Sequence, residues 1–297
     1  MDELKNGITA KRVAKLLPKR NRNTHKGCYG KSAIVAGSEE FLGAPVLSTK
    51  ACLRSGAGYT YLFTPIKERA SYALQMPEAI ILPLSLKESG VFRGFDAVAI
   101  GMGMRVSVSL ADFTERVLQS FTGRLILDAD ALNSLAKYKR EGLTKIFANK
   151  KCDVLITPHC KEFSRLTGES VEEILQNPVT VAEKYACEWG ITVLLKNAYT
   201  VITDGAKTVI NERGTAGQAK GGSGDLLSGL IAGLCAQGLS AFDGGTAGAY
   251  LAGLSAELAG ERYGEYSLIA TDVIEYLGQA FLRLRVAENA DEQGDDE

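Results

Sequence analysis

Several features that mark common protein classes are missing from this 297-residue sequence. No stretch of 18 apolar residues occurs, and the N-terminus lacks the apolar core and cleavage site of a signal peptide, so we expect a cytoplasmic protein without membrane attachment. The six cysteines form no Cys-x-x-Cys pair and no zinc-ligand spacing, which predicts reduced thiols in a chain of this length. Lysine plus arginine (34) nearly balances aspartate plus glutamate (35), so the overall charge gives no case for nucleic-acid binding.

Proline is also scarce, at seven residues, and no Pro- or Ser-rich linker interrupts the chain. A length of 297 residues is at the upper end for one hydrophobic core. We therefore expect one domain over residues 1–297, with an N-terminal extension over 1–15. The stretch 287–297, AENADEQGDDE, is acidic and is expected to be a disordered tail.

Glycine, by contrast, is abundant, with 32 residues against a typical share of ~7%. Short, nearly continuous apolar runs rich in β-branched residues indicate strands that are buried on both faces. These runs are SAIVAG, YTYLF, DAVAIG, RLILDA, DVLITP, TVLLK and YTVITDG. Stretches with helical spacing lie between them, namely APVLSTKACLRSG, LADFTERVLQSF, VEEILQNPVTVAEKYACEWG, DLLSGLIAGLCAQG and TAGAYLAGLSAELAGERYG. This alternation predicts a doubly wound α/β sandwich with a mostly parallel sheet.

One segment combines glycine with a carboxylate. After the short run KTVIN, the sequence KGGSGDLLSGL contains Gly222, Ser223, Gly224 and Asp225, here called the glycine box, and then enters an apolar helical stretch. Backbone N–H groups of Gly222, Ser223 and Gly224 at a helix N-terminus would bind an anion such as phosphate. A carboxylate beside phosphate is repulsive unless it accepts a proton from an attacking hydroxyl, as phosphoryl transfer requires. The alternative is that Asp225 only caps a core helix.

Two other glycine motifs are weaker. The sequence GCYGKS at 27–32 has two residues between its glycines where a P-loop has four, and it precedes a strand, so we reject that interpretation. The glycines at 101 and 103 begin a dinucleotide pattern whose sixth position is Val106, not glycine. They indicate either close approach of a ligand to the backbone or a tight turn.

Chemically active residues follow the predicted strands, where ligands of such sheets bind. His159 and Glu162 follow one strand, Lys196 ends another, and Asp128 and Asp130 end a third. Each has a structural alternative: His159 could be a buried histidine and Lys196 an exposed turn lysine. One of the two aspartates could hold a metal or a water near phosphate while the other caps the next helix, or both could serve only as caps. Their common position favours a ligand site.

Together and in this order, the motifs resemble the NAD(P)H-hydrate dehydratase family of the ribokinase-like superfamily over roughly residues 16–285. The anchors are HKGCYGKSAIVAGS, GAPVLSTKACLRSGAGY, VAIGMGM, LILDADALN, LITPHCKEFSRLTG, LLKNAYTVI and GGSGDLLSGLIAGLCAQG. The glycine box alone is shared by many kinases of that superfamily, whereas the whole combination is more specific. The resemblance implies a ribokinase-like three-layer α/β/α sandwich with a mostly parallel central sheet.

The resemblance also implies a repair reaction. NADH or NADPH that has been hydrated on the nicotinamide ring, in the S form, is phosphorylated on the new hydroxyl by ADP or ATP with Mg2+, and loss of phosphate restores the reduced nucleotide. Asp225 would be the base. The implied substrate-binding residues are Ala44, Gly103, His159 and Asp225. The implied ADP- or ATP-binding residues are Lys196, Asn197, Ala198, Tyr199, Thr200 and Gly224, and Asp130 is the candidate metal contact through a water.

This sequence departs from the family pattern around the implied site. The departures are Met102, Arg105, Cys160, Lys161, Asn197, Thr215, Gln218 and Lys220. They alter both the substrate wall and the nucleotide contacts. Two alternatives therefore stay open: a kinase for a vitamin precursor or a sugar, whose phosphate ester is the final product, and a nucleotide-binding protein without catalysis.

The resemblance implies partners as well. We expect a homo-oligomer, for which a tetramer is the family's suggestion, and a functional link to an NAD(P)H-hydrate epimerase on another chain. Larger family members carry that epimerase as an N-terminal domain, for which 297 residues leave no room.

Overall fold

A nine-stranded sheet forms the centre of the molecule, in a computed structural model that describes residues 7–65, 67 and 69–292. The strands are β1 (Lys31–Val35), β2 (Tyr59–Thr64), β3 (Ile80–Pro83), β4 (Ala97–Ile100), β5 (Arg124–Leu127), β6 (Asp153–Ile156), β7 (Thr192–Leu195), β8 (Thr200–Thr203) and β9 (Thr208–Asn211). Their order is β3-β2-β1-β4-β5-β6-β7-β8-β9. All pairs are parallel except β7 with β8 and β8 with β9. The predicted mostly parallel sheet is confirmed, and β3 is the strand that the apolar runs did not indicate.

Twelve helices surround the sheet in the described part of the chain. They are α1 (Ala10–Leu16), α2 (Gly43–Arg54), α3 (Arg69–Gln75), α4 (Val108–Ser120), α5 (Ala129–Lys139), α6 (Leu143–Ala148), α7 (Cys160–Thr167), α8 (Val171–Gln176), α9 (Pro178–Trp189), α10 (Ser223–Ala236), α11 (Ala241–Ser267) and α12 (Ala270–Glu292). The helical stretch predicted over 171–190 is two helices, because Asn177 precedes Pro178 and adopts a non-helical conformation (φ −130°, ψ 52°).

The helices form one layer on each face of the sheet, which confirms the three-layer sandwich. Residues alternate between the faces along each strand, so that Ala33 and Val35 pack on one side and Ile34 on the other. Helices α4–α9 cover the first face, with large side chains such as Phe113 and Trp189. Helices α2, α10 and α11 cover the second face, and α1 and α12 pack outside them.

The two ends of the chain differ in part from expectation. Within the extension predicted over 1–15, Val13 of helix α1 is fully buried in the cluster that includes Leu277 of α12. The tail expected to be disordered from residue 287 instead continues helix α12 as far as Glu292. Residues 1–6 and 293–297 lie outside the described residues. Of the helices that the structure describes, none has both the length and the apolar character needed to cross a bilayer.

Parallel register decides where the site forms. Val35 is paired with Ile100, Ile100 with Leu127, and Leu127 with Ile156, so four adjacent strands end at the same level. The segments that follow these strands therefore meet at one edge of the sheet, the carboxyl edge.

Candidate active site

The glycine box begins helix α10 beside the carboxyl edge. Gly222 is the N-cap residue with a left-handed backbone (φ 95°, ψ −16°), and no side chain caps this helix end. A Cβ at Gly222 would lie 2.5 Å from Leu47 Cδ1, so a larger residue would be both strained and crowded. The first N–H groups of α10 have no partner within the helix and are therefore available to an anion. The helix begins at Ser223, two residues before the position that the sequence indicated.

The Ser223 side chain supports the loop. Its hydroxyl donates to the carbonyl oxygen of Gln218 at 2.8 Å. Gln218 Oε1 in turn accepts the Thr215 N–H at 3.1 Å, and Thr215 Oγ1 accepts the Gly217 N–H at 2.9 Å. Two of the departures, Thr215 and Gln218, thus form a local capping arrangement that holds the loop before α10.

Asp225 lies half-buried in the first turn of α10. Burial, and secondarily the negative charge of Asp128, raise the pKa of the Asp225 carboxyl to about 6, while Lys196 opposes the shift and Asp130 adds to it. A carboxylate with a pKa near neutrality is suited to accept a proton at physiological pH and release it again.

Asp128 does not act as the helix cap that its position suggests. It is the N-cap residue of α5, yet its side chain makes no capping hydrogen bond. The carboxylate is instead buried, accepting a hydrogen bond from Lys196 Nζ at 2.9 Å and from Ser228 Oγ at 2.7 Å. Ser228 lies one turn after Asp225 on α10, so this contact joins α10 to the end of β5. Asp128 and Ser228 thus form a connection across the sheet edge that the sequence did not indicate.

Asp130 faces the neighbouring loop. Its Oδ2 accepts the Arg105 N–H at 2.8 Å. Burial raises its pKa above the ordinary value, backbone hydrogen bonds from Arg105 and Met104 act against the shift, and Asp128 adds to it. Arg105 has a left-handed backbone (φ 65°) at the position where the family pattern has glycine. The N–H contact with Asp130 compensates part of the strain that a non-glycine residue incurs there.

Lys196 connects the two sides of the site. It follows β7 directly, and its Nζ would lie 3.4 Å from a Cβ placed on Gly224. Burial acts to lower the pKa of Lys196, but the charges of Asp128 and Glu162 outweigh this effect and the net pKa is raised. The ammonium group therefore stays charged beside the glycine box.

His159 is both a helix cap and a candidate ligand. Its Nδ1 accepts the N–H groups of Lys161 (3.1 Å) and Glu162 (3.2 Å), and Glu162 Oε2 accepts the His159 N–H at 3.0 Å. Because Nδ1 is an acceptor, Nε2 carries the proton in the neutral ring. Burial lowers the pKa of His159, so the ring is neutral near pH 7. Its side chain remains 48% exposed, and Nε2 lies 3.6 Å from Glu162 Oε2.

Gly103 and Ala44 contact each other across the site wall. Gly103 has φ 65°, and a Cβ there would lie 3.0 Å from Ala44 Cβ and 2.7 Å from Phe41 Cβ. Phe41 is 51% exposed beside them. The sequence did not single out Phe41, although an aromatic residue just before the predicted substrate-binding residue Ala44 was a usable signal. The structure thus brings together two of the predicted substrate-binding residues and adds an aromatic side chain.

The predicted nucleotide-binding residues connect β7 to β8. Asn197, Ala198 and Tyr199 are exposed, and Thr200 begins β8. This turn adjoins the start of α7, because the Lys196 N–H donates to the Pro158 carbonyl at 2.8 Å and Cys160 Sγ lies 3.9 Å from the Lys196 carbonyl oxygen. The departure Cys160 therefore lies beside the residue that precedes the departure Asn197. Of the other departures, Met102 is fully buried and Lys161 is exposed.

A resident multi-ligand metal centre is not formed by the described residues, which contain no cluster of three or more His, Cys, Asp or Glu side chains with suitable spacing. Mg2+ usually binds proteins through one or two carboxylates together with substrate phosphates. Asp128 is occupied by Lys196 and Ser228, whereas Asp130 is a half-buried carboxylate close enough to Asp225, in the first turn of α10, to raise its pKa. The donor set therefore fits a magnesium ion that arrives with a nucleotide.

The fold and the arrangement of the site place this chain in a known structural class. A solved structure of a ribokinase-like superfamily protein from Enterococcus faecalis matches with a TM-score of 0.79, covering 94% of this chain and 96% of its own, at 24% sequence identity. This chain therefore has the ribokinase-like fold, with a glycine box and a carboxylate at the carboxyl edge of the sheet. Within that class, the family model for NAD(P)H-hydrate dehydratase matches residues 32–279, and the chain belongs to this family.

Relatives with names that state an activity support this membership. The ADP-dependent (S)-NAD(P)H-hydrate dehydratase of Cenarchaeum symbiosum is 37% identical over 276 residues, which cover 89% of this chain and 93% of that protein. The bifunctional NAD(P)H-hydrate repair enzyme of Thermofilum pendens is 34% identical over 283 residues, but this chain spans only 53% of its length. An ADP/ATP-dependent NAD(P)H-hydrate dehydratase from Bacillus subtilis, co-crystallised with ATP and Mg2+, matches with a TM-score of 0.84 and 29% identity, covering 94% of this chain and 98% of its own.

Proposed function

We propose that this protein dehydrates the S form of hydrated NADH or NADPH, using ADP or ATP as the phosphoryl donor with Mg2+. The observation that carries the proposal is the position of Asp225, a carboxylate with a raised pKa in the first turn of an uncapped helix N-terminus. A carboxylate that served only as a helix cap would gain nothing from such a pKa. A general base works best with a pKa near the working pH, which suits a carboxylate beside a phosphate-binding site.

The first half of the reaction is phosphoryl transfer. Asp225 accepts the proton of the ring hydroxyl, the hydroxyl oxygen forms a bond to the terminal phosphorus, and the bond from that phosphorus to the bridging oxygen breaks. AMP leaves if ADP is the donor, and ADP leaves if ATP is the donor. The N–H groups of residues 222–224 and the Lys196 ammonium stabilise negative charge on the transferring group. The magnesium ion would supply further charge neutralisation on the nucleotide phosphates, with Asp130 as the carboxylate placed to meet it through a water.

The second half is elimination. Phosphate is a far better leaving group than hydroxide, so the ring carbon–oxygen bond breaks as the adjacent ring carbon loses a proton to the departing phosphate or to water, and the electrons of that carbon–hydrogen bond form the ring double bond. The products are inorganic phosphate and the restored dihydronicotinamide. Asp225 has by then taken up the hydroxyl proton and must lose it to solvent before the next turnover, which a pKa near 6 allows at neutral pH.

Substrate and donor would approach from different sides. Ala44 and Gly103 lie together at the start of α2, where Phe41 adds an aromatic surface, and His159 begins α7 directly beside Lys196. The turn of residues 196–200 lies beside β7, and Lys196 extends from it to the glycine box. We assign the hydrated nucleotide to the first side and the adenine nucleotide to the second. The neutral His159 ring can donate from Nε2 to a substrate oxygen.

The direct test is absorbance at 340 nm during incubation of hydrated NADH and Mg2+ with ADP, with ATP, or with neither. A nucleotide-dependent rise with stoichiometric release of phosphate is the expected result and identifies the donor. Consumption of nucleotide with accumulation of a stable phosphate ester would overturn the proposal in favour of a small-molecule kinase. Tight ADP binding without any turnover would favour the non-catalytic alternative.

The pH profile gives an independent check. Because only the ionised carboxylate can accept the hydroxyl proton, kcat should fall as the pH drops through about 6. A profile that stays flat down to pH 4.5 would contradict the role of Asp225 as the base.

We also propose that the protein works as a homo-oligomer, with the tetramer as the expected state, and that an epimerase on another chain supplies the S form. Light scattering coupled to size-exclusion chromatography measures the first point. A mass of one 31.8 kDa chain would contradict it.

A further inference from the structure

Lys220, one of the departures from the family pattern, makes contacts that connect the glycine box to a distant part of the chain. Its Nζ lies 2.6 Å from the Tyr266 carbonyl oxygen, 2.7 Å from that of Leu268 and 3.3 Å from that of Glu265. An ammonium group has three N–H donors, and all three have an acceptor here. These contacts span 45 to 48 residues of sequence.

The three carbonyl groups lie where a helix ends. Helix α11 is broken at Gly264, whose backbone is far from helical (φ 72°, ψ 158°), and the chain then turns into α12 at Ala270. Carbonyl groups at a helix C-terminus lack partners within the helix and carry partial negative charge. The Lys220 ammonium satisfies them and stabilises this junction, here called the α11–α12 junction (residues 264–270).

The same junction supports the glycine box directly. A Cβ on Gly222 would lie 3.2 Å from Ala270 Cβ, and a Cβ on Gly217 would lie 3.0 Å from both the Glu265 carbonyl oxygen and Leu268 Cδ2. The loop before α10 therefore rests on the α11–α12 junction at two places. Lys220 lies between these places in sequence and supplies the charged contact between the two segments.

The loop has a second attachment that does not involve the junction. The Ser223 hydroxyl donates to the Gln218 carbonyl, and Gln218 caps the 3-10 turn that begins at Ala216. This attachment gives the loop its local shape. The start of the loop is held to the middle of α11 separately, because the Gly214 N–H donates to Glu257 Oε1 at 2.9 Å. Residues 217–222, which lead into the glycine box, contact the α11–α12 junction through Gly217, Lys220 and Gly222.

We propose that Lys220 is a positioning residue for phosphoryl transfer: by joining residues 220–224 to the α11–α12 junction, it holds the backbone N–H groups of the glycine box in the geometry that binds the transferring phosphate. The inference rests on the proposed function. A shorter side chain such as threonine does not reach the junction carbonyls, so this attachment depends on the lysine that the chain has at this position. Displacement of the N–H groups by as little as 1 Å can cost about 10²-fold in rate.

The experiment compares Lys220→Met, which keeps the aliphatic chain and removes the donors, with Lys220→Arg, which restores donors. The control is Lys145→Met, an exposed lysine on α6 in the opposite layer. For Lys220→Met we expect kcat per folded protein to fall ~10–100-fold and the inhibition constant for inorganic phosphate to rise ~10-fold, because the phosphate-binding N–H groups lose their position. The KM for hydrated NADH should change less than ~3-fold, and Lys220→Arg should recover most of the loss.

The decisive comparison is between phosphate affinity and stability. If Lys220 were only structural, Lys220→Met would lower the melting temperature and the folded fraction, while phosphate inhibition and kcat per folded protein stayed at wild-type values; that result would overturn the proposal. Equal behaviour of Lys220→Met and Lys145→Met would overturn it as well. If the wild-type protein shows no repair turnover, the proposed function fails, but calorimetric titration of inorganic phosphate into both proteins still decides the role of Lys220.

Discussion

The two helix layers are packed in different ways. In the layer of α4–α9, large side chains such as Phe113, Phe147 and Trp189 fill the space above the sheet. In the layer of α2, α10 and α11, glycine lets backbones approach one another. A Cβ on Gly229 of α10 would lie 1.9 Å from the Ser48 carbonyl oxygen of α2, and one on Gly248 of α11 would lie 2.4 Å from Ile231 Cγ1 of α10.

This difference in packing matters because each layer supplies different residues of the candidate active site. The glycine-rich layer carries Asp225 and the N–H groups proposed to bind phosphate at the start of α10. The layer of large side chains carries Asp130 and His159 at the starts of α5 and α7. Close backbone packing limits the distances between α10 and its neighbours, whereas Asp130 and His159 begin helices that are packed through large side chains, and Ala44 lies in α2 of the glycine-rich layer. We therefore expect the catalytic rate to depend on the layer of α2, α10 and α11, and substrate affinity on the layer of α4–α9.

The largest effect is expected for Asp225→Asn, which removes the proposed base and preserves the shape of the side chain. Loss of a general base typically reduces kcat ~10²–10⁴-fold. ADP affinity should stay within ~3-fold, since the N–H groups and Lys196 remain. Steady-state rates at 340 nm and calorimetric titration of ADP measure the two quantities. Near-normal kcat would show that the glycine-rich layer does not provide the base.

Gly229→Ala tests the close packing itself. The added methyl group has no space beside the Ser48 carbonyl, so α2 and α10 must separate, and we expect a loss of about 3 kcal/mol or more in the free energy of unfolding. The matched control is Gly278→Ala in α12, where a Cβ has no neighbour within 4 Å. That variant should gain about 0.5–1 kcal/mol from helix propensity. Urea denaturation followed by circular dichroism gives both free energies of unfolding. Equal stability of the two variants would refute the close packing of α10 against α2.

His159→Asn tests the substrate-facing side. Asparagine can still cap α7, so stability should change little, but the Nε2 donor is lost. We expect the KM for hydrated NADH to rise ~10-fold, as expected for loss of one hydrogen bond, with less than ~3-fold change for ADP. Ser170→Ala removes the N-cap of α8, whose Oγ accepts the Glu173 N–H at 3.0 Å, and serves as a control for cap loss alone. An equal rise in both KM values would contradict the assignment of the two sides.

The smallest effect concerns stability and pH. The Asp225 carboxyl has a pKa of about 6 when folded against an ordinary value of 3.8, so its ionisation disfavours the folded state above pH 6, and this penalty disappears as the pH falls towards 4. Asp225→Asn should therefore melt higher than the wild type at pH 7.5, by about 2–4 °C, with the difference vanishing near pH 4. Scanning calorimetry at both pH values measures it. A difference independent of pH would point to packing and not to charge.

Much of the architecture follows from local sequence patterns. Continuous apolar runs indicate buried parallel strands without knowledge of their partners, because a strand covered on both faces has no polar side. The strand β3 was missed since Ile80–Pro83 is short, lies at the sheet edge and contains proline. The break at Asn177-Pro178 was missed because the helical spacing runs across it.

The site was determined by sequence only in part. The order of the motifs along the chain, the glycine box and the carboxylate at 225 are properties of the sequence, because an uncapped, glycine-rich helix start has an intrinsic preference for anions. Which partner each polar side chain takes was decided by the tertiary structure. Asp128 lies where a helix cap would be expected and instead binds Lys196 and Ser228, and Lys220 binds carbonyl groups 45 residues away. These choices depend on distances between segments that parallel register and helix packing bring together, and no local pattern encodes such distances.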